Sequence, residues 1–207
     1  QKAINYAMTS VFTTGGIRGK KRAVGKFQPR SFNMGISKEA FEKTLGYGNI
    51  HPGEDPDLTF RIWEAGYETK LIEDAYVYHK RRIDWNKFYT QVNKFGMVRP
   101  ILNHWHPDSA KITYWFPTLF CFGFIVAIAL LVLGILWPIS IYALYFGLLF
   151  VHSLMANKNV KVAALSLVAA VIQFVGYGVG FIKNSILIAL SNKKPEELFP
   201  KLFFKTM

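Results

Sequence analysis

The sequence predicts an α/β domain followed by an α-helical membrane region. Three observations carry that expectation. Of 207 residues, 1–111 hold 18 basic and 11 acidic side chains, whereas 112–207 hold only 7 and 2. From Ile112 to Asn157 no Asp, Glu, Lys or Arg occurs, and Val162 to Ile182 is free of them too, which excludes a purely soluble globular chain. Within the first half a helical pattern is followed by an alternating one, the order expected of α/β structure. The single cysteine, Cys121, lies in an apolar run, so neither a disulfide framework nor a cysteine-built zinc site is available. The chain opens on Gln1 with no basic-then-apolar start, so it reads as a fragment without a signal peptide.

In chain order, Thr13 to Arg22 is rich in glycine and cations and has no helical or strand period. Two readings stand side by side: a solvated loop, or a phosphate clamp in which glycine opens the backbone N–H groups while Arg18, Lys20, Lys21 and Arg22 neutralise the anion. Ser37 predicts an N-cap for a short helix through Lys43, ending at Gly46-Tyr47-Gly48-Asn49. In the next helix Asp55 is expected as N-cap and Pro56 at the first position, Leu58, Ile62 and Ala65 form the apolar stripe, and Gly66 is the stop. Lys70 to His79 alternates loosely and predicts a strand.

Asp84 is expected to cap an amphipathic helix near 84–98, with Trp85, Phe88, Val92 and Phe95 on its apolar side. Its place just before the apolar half favours a helix in the membrane interface, with Lys94, Arg99 and Lys111 meeting anionic headgroups. The region 112–183 is expected to hold three helices, 115–137, 138–156 and 162–182, each long enough to cross about 30 Å of hydrocarbon. Trp137-Pro138 is expected at the turn between the first two. Gly176, Gly178 and Gly180 predict close helix contact in the third or a bend there. His152 within the second span reads as a hydrogen-bonded histidine rather than a functional one. Residues 184–207 form a basic tail. Its lysines argue against export under the positive-inside rule, yet three full crossings would export it, and three crossings are expected.

The sharpest local feature is Gly53-Glu54-Asp55-Pro56-Asp57-Leu58. On spacing alone three carboxylates at a helix start are explained by capping and the macrodipole. More specific is the ordered set formed by Arg30-Ser31-Phe32-Asn33-Met34-Gly35-Ile36, the run Gly53 to Tyr67, Ala75-Tyr76-Val77-Tyr78-His79 and Gln91-Val92-Asn93-Lys94-Phe95-Gly96. Over residues 1 to 105 this resembles the C-terminal part of a family 2 glycosyltransferase of GT-A fold, of the bacterial membrane-bound kind.

The resemblance implies transfer of a sugar from a nucleotide-sugar donor to a hydroxyl of a lipid-linked or cell-envelope glycan acceptor, with inversion. It implies residence in the bacterial inner membrane with the catalytic part in the cytoplasm, and partners that are donor, acceptor and membrane lipids rather than nucleic acid. Asp55 is then the base that takes the hydroxyl proton, with Glu54 and Asp57 as orienting neighbours. A divalent cation, Mg²⁺ or Mn²⁺, is implied to neutralise the leaving diphosphate. The acidic residues between 1 and 50 are only Glu39 and Glu42, so the D-x-D motif that holds most of the cation is expected upstream. His79, 24 residues after Asp55, reads either as a ligand of that cation or as a histidine that hydrogen-bonds the acidic loop.

Gln91, Lys94 and Phe95 occupy the place of the Q-x-x-R-W motif and are implied to bind the acceptor. Lys for Arg loses the guanidinium fork and Phe for Trp loses stacking area, which points away from a long processive polymerase. The competing class is a non-catalytic membrane transport or envelope-assembly subunit, in which the acidic block is only a capped helix.

Overall fold

A computed structural model describes residues 1–14, 26–78 and 84–204. It runs α1 (Lys2–Thr9), α2 (Val11–Thr14), α3 (Lys38–Lys43), α4 (Glu54–Glu64), α5 (Trp85–Trp105), α6 (Phe116–Val132), α7 (Trp137–Asn157), α8 (Val160–Ala189) and α9 (Pro195–Leu198). Among the described residues there is no strand; pairing is limited to the isolated bridges Arg30 with Asn33 and Ile50 with Phe203. The strand expected over Lys70 to His79 is therefore corrected: as far as Tyr78 it is extended chain and a turn, because no neighbouring strand is there to take its backbone groups. The Asn33 side-chain amide donates to the Ala75 carbonyl (3.0 Å) in place of a ladder.

Several helix ends follow the local chemistry. Ser37 Oγ accepts from Ala40 N–H at 3.2 Å, and Asp84 Oδ1 accepts from Asn86 and Lys87 N–H at 2.7 and 3.1 Å. Gly66 has φ +87°; its N–H bonds the Trp63 carbonyl while Tyr67 N–H bonds that of Ile62, the paired closure of a left-handed stop. The start of α4 differs from expectation. Gly53, at φ +127°, is the N-cap, so Glu54, Asp55 and Pro56 are the first three helical residues. Pro56 costs no hydrogen bond there, since first-turn N–H groups have no intrahelical partner.

The helix α5 extends past 98 to Trp105, through Pro100. It runs beside α8, and the two backbones nearly touch. A Cβ on Gly96 would stand 2.1 Å from the Tyr177 carbonyl oxygen, one on Gly180 2.4 Å from that of Asn93, and one on Gly176 2.6 Å from Val92. Two side-chain amides bind across the seam: Asn93 Nδ2 to the Gly176 carbonyl (2.9 Å) and Asn184 Nδ2 to that of Met97 (2.8 Å). Gly178 instead faces α6, where Thr118 Oγ1 donates to its carbonyl at 3.1 Å. The three glycines thus mark close contact within an unbroken helix, not a bend.

On its other side α5 covers a core of Ile50, Phe60, Val98, Ile101 and Leu102, closed by Phe199 and Leu202 from the tail. Near its start, Phe88 and Val92 pack with Ile4, Ala7 and Met8 of α1 and Ala169 of α8.

The stretches Ile112–Val132, Trp137–Asn157 and Val160–Ala189 are long and apolar enough to cross a membrane. The first two bury little of themselves, leaving Leu119, Phe122, Ile125, Leu144 and Leu148 exposed as lipid-facing residues would be. The α6–α7 turn lies at 133–136, with Gly134 at φ +82°, so Trp137 and Pro138 open α7 rather than form the turn. His152 Nδ1 is 2.6 Å from the Tyr6 hydroxyl, a hydrogen bond that ties α7 to α1.

The seam makes a sharp prediction. Gly96→Ala, which drives a methyl into backbone, should destabilise the protein by about 1–3 kcal/mol. Gly147→Ala, in the middle of α7 with nothing within 4 Å of its Cβ, should be neutral or stabilise by about 0.5–1 kcal/mol. Thermal unfolding in detergent should show a fall for Gly96→Ala and none for Gly147→Ala; equal shifts would contradict the close contact.

Candidate active site

The acidic block begins α4 directly against α5, since a Cβ on Gly53 would lie 2.5 Å from Val98 Cγ1. Its three carboxylates have different surroundings. Asp57 is 4% exposed; its Oδ2 accepts from Arg61 Nε (3.1 Å) and Nη2 (2.7 Å), and its Oδ1 faces His106 Nε2 at 3.0 Å. His106 Nδ1 meets Glu64 Oε1 at 2.6 Å, while Arg61 also donates to the carbonyls of Thr44 and Gly46. Asp57 thus fastens α4 to the chain after α3 and to the residue that ends α5.

Asp55 is half-buried, and its Oδ1 accepts the Ser31 N–H at 3.0 Å. Glu54 pairs through Oε1 with His51 Nδ1 at 3.2 Å, and its Oε2 is buried with no hydrogen-bond partner among the described residues. Tyr47 stands near both: burial first, then the negative charges of Asp55 and Glu54, push its hydroxyl above the ordinary value.

Burial alone would raise the Asp57 carboxyl, but the hydrogen bonds from His106 and Arg61 outweigh it and hold the group below the usual carboxylate range. For His106 burial would lower the imidazole, and hydrogen bonds to Asp57 and Glu64 raise it above its usual value. Each shift favours the charged form of its group, a carboxylate on Asp57 and an imidazolium on His106.

Gln91, Lys94, Phe95 and Val98 fall within about 100° of one another on a helix of 3.6 residues per turn. The face of α5 that meets Gly53 one turn later thus carries the Gln-Lys-Phe triplet, and Phe95 also packs against the α1–α5–α8 cluster. Arg18, Lys20, Lys21, Arg22 and His79 lie outside the described residues. Among the described residues no group of three His, Cys, Asp or Glu side chains could hold a metal ion, and the α4 carboxylates are engaged with protein partners. Sequence reasoning missed His106, Tyr47 and the role of Arg61. Only Arg61 carried a signal, as an Asp–Arg pair at i, i+4.

The sequence model of the family described as glycosyl transferase family group 2 matches residues 32–157, more than half of the chain. The chain therefore belongs to that family, and its domain supports glycosyl transfer. The matched stretch holds the acidic block, all of α5 and the α6–α7 hairpin, and it ends at the last residue of α7. No curated protein and no solved structure matches the chain.

The Asp57–His106 pair gives a pH prediction. The lowered Asp57 contributes stability above the ordinary carboxylate value and loses it as pH falls through its folded value; the raised His106 contributes below the ordinary imidazole value and loses it as pH rises through its folded value. Their contribution is complete between about pH 4 and pH 6.5. His106→Gln should cost about 1.5–3 kcal/mol at pH 5.5 and clearly less at pH 9. A melting-temperature gap that does not change with pH would contradict the charged pair.

Proposed function

We propose that the chain is the C-terminal part of a membrane-bound inverting glycosyltransferase of α/β GT-A fold. It transfers a sugar, of hexosyl type, from a nucleotide-sugar to a hydroxyl of a lipid-linked or cell-envelope glycan acceptor. The observation that carries this reading is the division of labour in the acidic block. Asp57 is consumed by Arg61 and His106, whereas Asp55, two residues earlier, is half-exposed, with the Ser31 N–H holding one of its oxygens. Displacement at the anomeric carbon needs a carboxylate within hydrogen-bond reach of the attacking hydroxyl, and Asp55 takes that proton.

Glu54 orients the pair from its own contact with His51, and Asp57 fixes the helix that presents them. Gln91, Lys94 and Phe95, on the face of α5 leading to Val98, are the residues proposed to meet the acceptor. Arg18, Lys20, Lys21 and Arg22 are proposed for the donor phosphates. When bound, a divalent cation, Mg²⁺ or Mn²⁺, supplies charge neutralisation for the leaving diphosphate, and His79 is the ligand proposed from this chain. The proposed setting is the bacterial inner membrane with the acidic block facing the cytoplasm, which agrees with the cationic residues flanking the first apolar stretch.

Asp55→Asn in the complete enzyme should lower turnover on the order of 10²- to 10⁴-fold with the melting temperature preserved, because the amide oxygen still accepts the Ser31 N–H but takes no proton. Wild-type turnover by this variant would remove Asp55 as the base. For His79→Ala, titration of rate against Mn²⁺ should show a higher half-saturating concentration; an unchanged curve would make His79 structural.

A further inference from the structure

We propose that α8 does not cross the membrane but lies along its surface beside α5, so that the α6–α7 hairpin alone spans and the tail shares a side with the acidic block. The first ground is where α8 leads. After Ala189 the chain returns to the catalytic segment: His51 N–H donates to the Leu202 carbonyl at 2.7 Å and Phe204 N–H to that of Asn49 at 3.0 Å. Phe199 and Leu202 are buried with Ile50 and Phe60, four residues or fewer from the acidic block on the Ile50 side.

The second ground is that both ends of α8 face catalytic-segment residues. At its start Asn159, Val162 and Leu165 share a cavity with Lys2, Ile4 and Trp85; at its end Ile188 and Lys193 share one with His104 and Trp105. Trp85 and Trp105 are the two ends of α5, so α5 follows α8 over about 32 Å of its roughly 45 Å length. If α8 crossed the bilayer, α5 would carry Lys87, Gln91, Lys94 and Arg99 into hydrocarbon with it.

The third ground is the neighbour at the far end. Phe181 packs on Trp115 with ring centroids 4.9 Å apart, and Gly178 meets Thr118. These residues stand where the chain enters α6. A helix that had crossed would end beside the exit turn at 133–136.

The occupant of α8's remaining face is the lipid surface. Val168, Val171, Val175, Val179 and Ile186 form an exposed apolar stripe at helical spacing. Lys158 and Lys161 flank one end of α8, Lys193 and Lys194 the other, so both ends suit the same anionic leaflet. The positive charge of the tail, which opposes the positive-inside rule under three crossings, obeys it under two.

Single cysteines in a Cys121→Ser background of the full-length protein test this with a membrane-impermeant thiol reagent, before and after lysis. Glu42→Cys on α3 reports the catalytic side, Leu136→Cys the exit turn, and Ser191→Cys, with Asn192→Cys as a second probe, the end of α8. The tail probes are expected to label as Glu42→Cys does and opposite to Leu136→Cys. Tail probes that label with Leu136→Cys would establish a third crossing and overturn the proposal, as would identical labelling of all sites.

Discussion

The backbone contact between α5 and α8 is the constraint on which the rest of the structure depends. Small residues are required on both helices, since Gly96 sits over the Tyr177 carbonyl while Gly176 and Gly180 receive Val92 and Asn93 from the other side. The Asn93 and Asn184 amides, each bonded to a carbonyl of the opposite helix, fix the register. With α5 held in that way, its opposite face becomes the floor of the acidic block. Val98 lies against Gly53, and Ile101 and Leu102 complete the core that receives the tail. A displaced α5 would move the candidate base, the candidate acceptor residues and the tail together.

Electrostatics then separates structure from chemistry within four residues. Asp57 is buried and held by Arg61 and His106, and losing a hydrogen bond to such a charged group costs about 1.5–3 kcal/mol of stability. Asp55 has no comparable burial, and its proposed role acts on the barrier, where a lost general base is worth 10²- to 10⁴-fold in rate. Under the proposed roles the two carboxylates thus differ in what their loss is expected to change: folding for Asp57, turnover for Asp55.

Features set by nearby residues were legible in the sequence. Ser37 and Asp84 cap as read, Gly66 stops α4, the apolar stretches form long helices, and the ordered motifs match the family. What was not legible depends on residues distant in the chain. The alternation of Lys70 to Tyr78 carries no information about whether a partner strand exists, and none is present among the described residues. Asp55 could cap by type, but the left-handed Gly53, wedged against Val98, starts the helix two residues sooner. His106 has no motif of its own and acquires meaning only where α5 ends beside Asp57 and Glu64. The tail's lysines were visible, while its attachment through Phe199 and Leu202 required the fold.

Hydrogen exchange of the protein in detergent, comparing wild type with Gly180→Leu, tests the central dependence most directly. Leucine there displaces the Asn93 carbonyl and opens the seam from the α8 side without touching the acidic block. The account predicts faster exchange not only in α5 and α8 but also over 49–66 and 199–204, which rest on the far face of α5. Acceleration confined to α8, with 49–66 and 199–204 as protected as in wild type, would contradict it.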